Sequence, residues 1–510
     1  MNRLCITAYY SFLRVSRPRL AVRSFATLRE APARIGQPTP QTHPHLLKAG
    51  EITPGIAAEE YAARRARLVS RIAESGTVIV PGYGLRYATN EIFHQFHQHT
   101  DLFYLCGIDE PDCALVLEKT TTGRGYKMIL FVRPRDPTRE MWDGPRAGLE
   151  GAKRYFGADE ARDIDTLPAY IDALASSSPG PVYTDLPTGP TASSRLEQMH
   201  IRTGDAKSFN PRDGGITSVL KRKLCGGGTA QNASAFKPLN PLLCDLRLIK
   251  SPAEIAVMRQ AGRISGRAFV DMMKATKPGI GEHDLWAVAD HAARRRGASR
   301  LAYVPVVAGG KNALTIHYVL NDQLLSDGTM ILVDAGGEYG GYASDVTRTW
   351  PVNGKFTKEQ GALYNAVLRV QRACIAKCTG DAAVSLDDLQ RDAFELLRAE
   401  CSALFGRTLS NKELNSLYPH HVGHWLGLDV HDTQSVRRTT RLQPGMVVTL
   451  EPALYIPDSP AFPEAYRGVG VRIEDDVVVG GKETGWAPTV LSVEAPKEVE
   501  DIEAVMAGLV

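Results

Sequence analysis

Hydrophobic and polar positions change their period several times along this chain. In EEYAARRARLVSRIAE, residues 59–74, the apolar positions Tyr61, Leu68, Val69 and Ile72 recur at helical spacing. The run TVIVPG then reads as a strand, and YLCGID, CALVLE and KMILFVRP follow as further strand-like runs. Helical patterns lie near 146–156 and 166–175. This alternation predicts an α/β domain over residues 59–202. From 203 to 240 Gly, Ser, Asn, Lys and Arg dominate, which predicts a flexible insertion or linker. A second domain, 241–510, opens with a helix whose start is marked by Ser251 as N-cap and Pro252 at the first helical position. Ile255, Met258, Ile264, Ala268 and Met272 mark its buried face. Further helices are predicted at 281–296, 357–379 and 385–403, and a strand at 301–307, LAYVPVV.

The stretch ILVDAGGEYGGYASDVTRTW, residues 331–350, reads as a β-hairpin. Folded about the 339/340 midpoint, it sets Asp334 opposite Asp345. Residues directly paired in an antiparallel ladder share a face, with side chains about 5 Å apart. Two carboxylates so placed repel each other. Solvated turn acids would be the bland explanation; oxygen ligands for one or two divalent cations is the stronger one. More donors lie downstream. YPHHVGHWLGLDVHD carries His420, His421, His424 and His431, GMVVTLEPALY puts Glu451 at the end of an apolar strand, and VGVRIEDDVVV puts Glu474 in mid-strand. A lone Glu in a strand is ordinarily edge decoration; the ordered set Asp, Asp, His, Glu, Glu is far more specific.

That order, Asp334, Asp345, His424, Glu451, Glu474, resembles the dinuclear metal site of the pita-bread metallopeptidases. DAGGEYGGYASDVTRTWPVNGKFT and GHWLGLDVHD are similar to the aminopeptidase P branch. GQPTPQTHPHLLKAGEITPG, HQHTDLFYLCGIDEPDCALVLE and RPRDPTREMWDGPRAG resemble its mitochondrial X-Pro aminopeptidase 3 and intermediate cleaving peptidase group. The resemblance implies an α/β chain with an N-terminal creatinase-like domain and a C-terminal pita-bread catalytic domain. It implies two divalent metal ions, bridged by Asp345 and Glu474, with Asp334 on one and His424 and Glu451 on the other. Mostly oxygen donors with one imidazole suit Mn²⁺ better than a structural zinc site. By the same resemblance His317, His420 and His431 line the substrate site, and Glu451 helps move the proton of a metal-activated water. His420 rather than His421 matches the family offset from His424. Tyr303, His317, His431 and Arg472 are the expected substrate contacts. Arg348 and Arg472 are also candidates to steady the ligand carboxylates. Trp142 is similar to a family position that reaches toward a neighbouring subunit's active site, and the resemblance as a whole implies a homo-oligomer.

Composition adds location. Residues 1–29 carry Arg3, Arg14, Arg17, Arg19, Arg23 and Arg29 before the first acid, Glu30. This is the composition of a mitochondrial transit peptide, expected to span 1–25 and to deliver the protein to the matrix. Residues 26–58 read as an extended arm. The eight cysteines form no CxxC pair, which fits reduced thiols. A net charge of +3 points to no nucleic-acid partner, and no stretch is apolar enough to span a membrane. The expected function is a metal-dependent aminopeptidase that removes one N-terminal residue, at X-Pro bonds or from newly processed mitochondrial precursors. A prolidase-type dipeptidase and a non-catalytic pita-bread binding protein are the alternatives.

Overall fold

The computed structural model describes residues 34–177, 180–185 and 236–509. The expected transit peptide and most of the expected insertion lie outside these residues. Helix α1 (Ala58–Ser70) buries Tyr61, Leu68 and Val69, the positions its period marks. It covers a sheet of six strands: β1 (Thr77–Pro81), β2 (Ala114–Lys119), β3 (Tyr126–Val132), β4 (Glu160–Asp163), β5 (Val182–Tyr183) and β6 (Phe236–Lys237). Their order is β6-β5-β1-β2-β3-β4. The YLCGID run is not a strand. Thr100–Cys106 is helix α2, stopped by Gly107 at φ 70°. A short apolar run buried on all sides, here Leu102, Tyr104, Leu105 and Cys106, has no period to tell helix from strand.

Helix α3 (Gly148–Phe156) and helix α4 (Leu167–Ser177) follow, and helix α5 (Asn240–Leu248) leads into the second half. Helix α6 (Pro252–Ala275) starts at a capping box between Ser251 and Glu254. Helix α7 (Glu282–Arg295) packs against it. The strand expected over 301–307 is broken: β7 is Arg300–Leu301 and β8 is Val306–Gly309. Pro305 cannot donate to a ladder, and the break leaves Tyr303 free to turn toward the site.

Strands β8, β9 (Met330–Ala335) and β12 (Val346–Pro351) form one antiparallel sheet. Between them, β10 (Gly337–Tyr339) and β11 (Tyr342–Ala343) form the hairpin tip, and β10 pairs with β7 instead. The hairpin does not fold about 339/340. Its turn is Gly340–Gly341, both with positive φ (58° and 84°), so Tyr339 pairs with Tyr342 and Asp334 with Thr347. A two-residue turn of this type needs positive φ at both central positions, which glycine supplies and Tyr339 resists. Asp345 therefore sits two residues along from the partner of Asp334, on the same side of the ribbon.

Helices α8 (Lys358–Ala376) and α9 (Leu386–Phe405) cover the second half. Its strands are β13 (Val447–Leu450), β14 (Ala453–Ile456), β15 (Val469–Arg472) and β16 (Asp475–Val478). Glu474 is not in mid-strand: β15 pairs with β14 while β16 pairs with β13, and Ile473 and Glu474 form the passage between the two ladders. Trp350, Phe269, Leu363 and Leu389 are buried in the main core. The N-terminal core extends past its own sheet to take in Tyr342, Ala343, Leu426 and Leu428.

Candidate active site

Asp334 projects from β9, and Asp345 stands just before β12. The hydroxyl of Tyr303 lies 2.6 Å from Oδ1 of Asp334 and 2.5 Å from Oδ1 of Asp345. A phenol has one proton, so it serves one carboxylate at a time and leaves the other contact short of positive charge. The other oxygen of Asp334 accepts from Arg472 Nη2 at 2.6 Å. Glu474 accepts from the Thr347 hydroxyl at 2.6 Å, and its N–H donates to the Thr347 carbonyl.

His424 comes from the loop that runs beside β13. Its N–H donates to Thr449 Oγ1, and Thr449 N–H donates back to the His424 carbonyl. This close approach requires Gly423, where a Cβ would stand 1.9 Å from the Thr449 carbonyl oxygen. His424 Nδ1 donates to the Trp425 carbonyl at 3.1 Å, which turns Nε2 toward Asp345 Oδ2 at 3.4 Å and Glu451 Oε1 at 3.7 Å. Ligand atoms of Asp345, His424 and Glu474 lie within 4.8 Å of one another. Asp345 is thus central, with Asp334 on the Tyr303 side and Glu451 on the His424 side.

The electrostatics describe a site short of cations. Burial raises the Asp334 carboxyl to about 6, against the pull of Arg472. Burial likewise raises Glu451 to about 7, and raises Glu474 well above the carboxylate range with Asp345, Glu451 and Asp334 adding to it. Asp345 is buried too, yet His424 holds it below its usual range. His424 rises to about 9 because Asp345 and Glu451 outweigh its burial. Four carboxylates face one guanidinium and one imidazole. The donor set and this excess of negative charge fit divalent cations, whose binding would replace the protons the carboxyls otherwise keep.

The remaining expected residues form a polar wall. His420 Nδ1 donates to the His421 carbonyl, and its Nε2 accepts from the Tyr455 hydroxyl at 2.9 Å. Arg472 Nη1 donates to that same hydroxyl at 2.6 Å. Burial and the nearby Arg472 lower His420 to about 4, so its ring is neutral. His431 packs edge-on against His424 with ring centroids 4.4 Å apart, and burial and His424 lower its pKa. His317 is exposed and lies within electrostatic reach of both His420 and His431. His421 turns away, toward Asp387 and the Gly423 carbonyl.

Arg472, expected as a substrate contact, is 2% exposed and spends its nitrogens on Thr347, Tyr455 and Asp334. It braces Asp334 from behind. Tyr303, also expected against substrate, has its hydroxyl on the two aspartates. Arg348 grips the Glu474 carbonyl and the Asp475 carboxylate. Sequence reasoning missed Tyr455, Thr347 and Asp476. Asp476 accepts from the Asp345 N–H at 3.0 Å and the Ser344 hydroxyl at 2.8 Å. The run Glu474-Asp475-Asp476 was the available signal, but only packing separates the three roles. Trp142 is 80% exposed beside Met141.

Residues 256–480 match the profile of metallopeptidase family M24, and residues 61–183 match that of the aminopeptidase P N-terminal domain. The chain is 41% identical over 497 residues to Xaa-Pro aminopeptidase 3 of Mus musculus, covering 94% of this chain and 92% of the relative. It is 36% identical over 499 residues to a protein of Arabidopsis thaliana named intermediate cleaving peptidase 55, mitochondrial, covering 97% and 92%. The crystal structure of Icp55 from Saccharomyces cerevisiae superposes with a TM-score of 0.78 at 37% identity, covering 91% of this chain and all (100%) of that one.

Proposed function

The chain belongs to metallopeptidase family M24, as a metal-dependent aminopeptidase with the aminopeptidase P fold, and from that premise we propose that it removes one residue from the N-termini of proteins newly processed in the mitochondrial matrix. The observation that carries the reading is the row Asp334, Asp345, His424, Glu451 and Glu474, whose four carboxylates crowd together against the single guanidinium of Arg472 and the imidazole of His424. These five would hold two divalent ions, and the oxygen-rich set would favour Mn²⁺. When bound, the ions supply Lewis acidity and make water acidic enough to act near neutral pH.

The chain's own groups do the rest. Glu451, at the edge of the ligand row beside His424 and His420, takes and returns a proton. The neutral His420, oriented by Tyr455, and the rim residues His317 and His431 hold the peptide carbonyl and its surroundings. Arg472 keeps Asp334 ionised and fixed. X-Pro cleavage is the competing substrate rule, since relatives carry that name. Among the described residues no helix is long and apolar enough to cross a membrane.

Residues 26–510 loaded with Mn²⁺ would be offered two peptide sets and read by mass spectrometry. One set is X-Pro peptides; the other begins with Tyr, Leu or Phe and lacks Pro at the second position. Loss of one residue from the second set supports precursor trimming. Loss from the X-Pro set alone supports a general proline-specific aminopeptidase. No loss from either, with metal bound, leaves a binding protein.

A further inference from the structure

The loop that carries His424 and His431 is held from outside the catalytic half. Arg247, on the connecting helix α5, is buried and faces three carboxylates. Its Nη1 donates to Asp101 at 2.7 Å, in the first turn of α2 of the N-terminal domain. Its Nη2 donates to Asp429 at 2.7 Å and to Asp432. Thr100 Oγ1 joins from α2 with a bond of 3.1 Å to Asp429. Asp432 is also held by Lys250 Nζ at 3.0 Å, and both partners of this pair are buried. Burial alone would raise Asp432, yet Arg247 and Lys250 keep it below the usual carboxylate range.

Asp432 is one residue from His431, and it is linked to His424 through a single backbone carbonyl. The Asp432 N–H donates to the Trp425 carbonyl at 2.9 Å. That carbonyl also accepts the Nδ1 proton of His424 at 3.1 Å. The loop closes tightly round the carboxylate: a Cβ on Gly427 would stand 2.3 Å from Asp432 Oδ2. An unbroken series of bonds therefore runs from Asp101 through Arg247 and Asp432 to the Trp425 carbonyl and the ring of His424. The same N-terminal domain also holds the other ligand-bearing element, since Arg64 of α1 donates to the Tyr342 hydroxyl at the hairpin tip. The two elements are thus referenced to one body.

We propose that Arg247 is a positioning residue through which the N-terminal domain, by way of Asp101, sets the orientation of His424 and His431. This rests on the metallo-aminopeptidase reading above. A bidentate guanidinium fixes both distance and angle between two carboxylates, which a lysine at the same place does not. Groups that orient a metal-binding imidazole through its second nitrogen typically matter by about 10–100-fold in metal affinity or activity. Asp101 lies outside the ligand set, and its carboxylate connects to the site through Arg247.

The test uses the full chain with Mn²⁺ and compares wild type, Arg247→Lys, Asp101→Ala and Asp101→Asn. The readouts are calorimetric Mn²⁺ titration, kcat and KM on one peptide, and the folded fraction by circular dichroism. Asp101→Ala is expected to weaken one of the two Mn²⁺ sites by about tenfold and to lower kcat similarly, with KM within about twofold. Asp101→Asn, which keeps an acceptor for Arg247, is expected to restore most of both. Arg247→Lys should show the larger loss; if it does not fold, the Asp101 pair still decides. Mn²⁺ affinity and kcat unchanged in Asp101→Ala would overturn the proposal. So would a loss of activity matched by the loss of folded protein with affinity unchanged, which would make the cluster domain glue. A wild-type protein that binds no Mn²⁺ would remove the metallo-enzyme reading itself, and this proposal with it.

Discussion

Arg472 Nη2 lies 2.6 Å from Oδ2 of Asp334, and both side chains are largely buried. The same guanidinium reaches Tyr455 and Thr347, so one residue ties β9, β12, β14 and β15 together behind the site. Lysine has a single point of charge and cannot hold all three. Arg472→Lys should lower kcat by about 10–100-fold and reduce bound metal, read by steady-state kinetics and elemental analysis.

Tyr303 places its one proton between Asp334 and Asp345. Without cations that proton adds to the relief that Arg472 and His424 give; with cations bound it matters less. Tyr303→Phe should therefore lower the melting temperature of the metal-free protein more than that of the Mn²⁺-loaded protein. Equal shifts in the two forms would contradict this account.

The metal-free protein should lose stability as pH rises from about 6.5 to 9. His424 is raised from about 6.5 in an unfolded chain to about 9 in the fold. A raised group stabilises fully below its unfolded pKa, and that contribution is lost as pH climbs through the folded value. Asp334 at about 6 and Glu451 at about 7 have the same sign, with most of their loss falling below pH 7. His420, lowered to about 4, has the opposite sign but acts only below about 6.5. Cations displace these protons, so the melting temperature of the loaded protein should be flatter across the same window. Thermal melts at stepped pH, with and without Mn²⁺, check this.

The adjacent histidines should separate cleanly. His420 faces the site through Tyr455, while His421 faces Asp387. His420→Ala should cost about 10²-fold or more in kcat, as loss of an oriented polar group at the reacting carbonyl does. His421→Ala should stay within about threefold, because its Asp387 contact is a partly exposed hydrogen bond of small worth. Comparable losses in both would mean the site extends toward Asp387.

Trp142 and Met141 are 80% and 82% exposed on a short helix, which is unusual for such large apolar side chains. If a second copy covers them, Trp142→Ala should raise the dimer dissociation constant and lower kcat/KM together, while melting changes little. Analytical ultracentrifugation and kinetics over a range of protein concentrations provide the check.

The sequence determined the donors and their order. Acids beside apolar strand runs are costly unless something uses them, which makes Asp334, Asp345, Glu451 and Glu474 stand out as candidates; His424 is set apart from its three neighbouring histidines by the resemblance to the metallopeptidase site. Helices such as Pro252–Ala275 were legible too, since period and capping are local. The register was not. Moving the turn to Gly340–Gly341 is a local preference, but its consequence, Asp334 beside Thr347, shows only when both strands meet. The helix at Thr100–Cys106 escaped because burial on every side erases period. The roles within Glu474-Asp475-Asp476 were decided by tertiary structure alone. One faces the ligand row, one pairs with Arg348, and one holds the Asp345 backbone. The same holds for Arg247, whose partners at 101, 429 and 432 are brought together by the packing of one domain on another. Spacing along a chain fixes which groups are available; the long-range contacts that bury a charge fix what it is for.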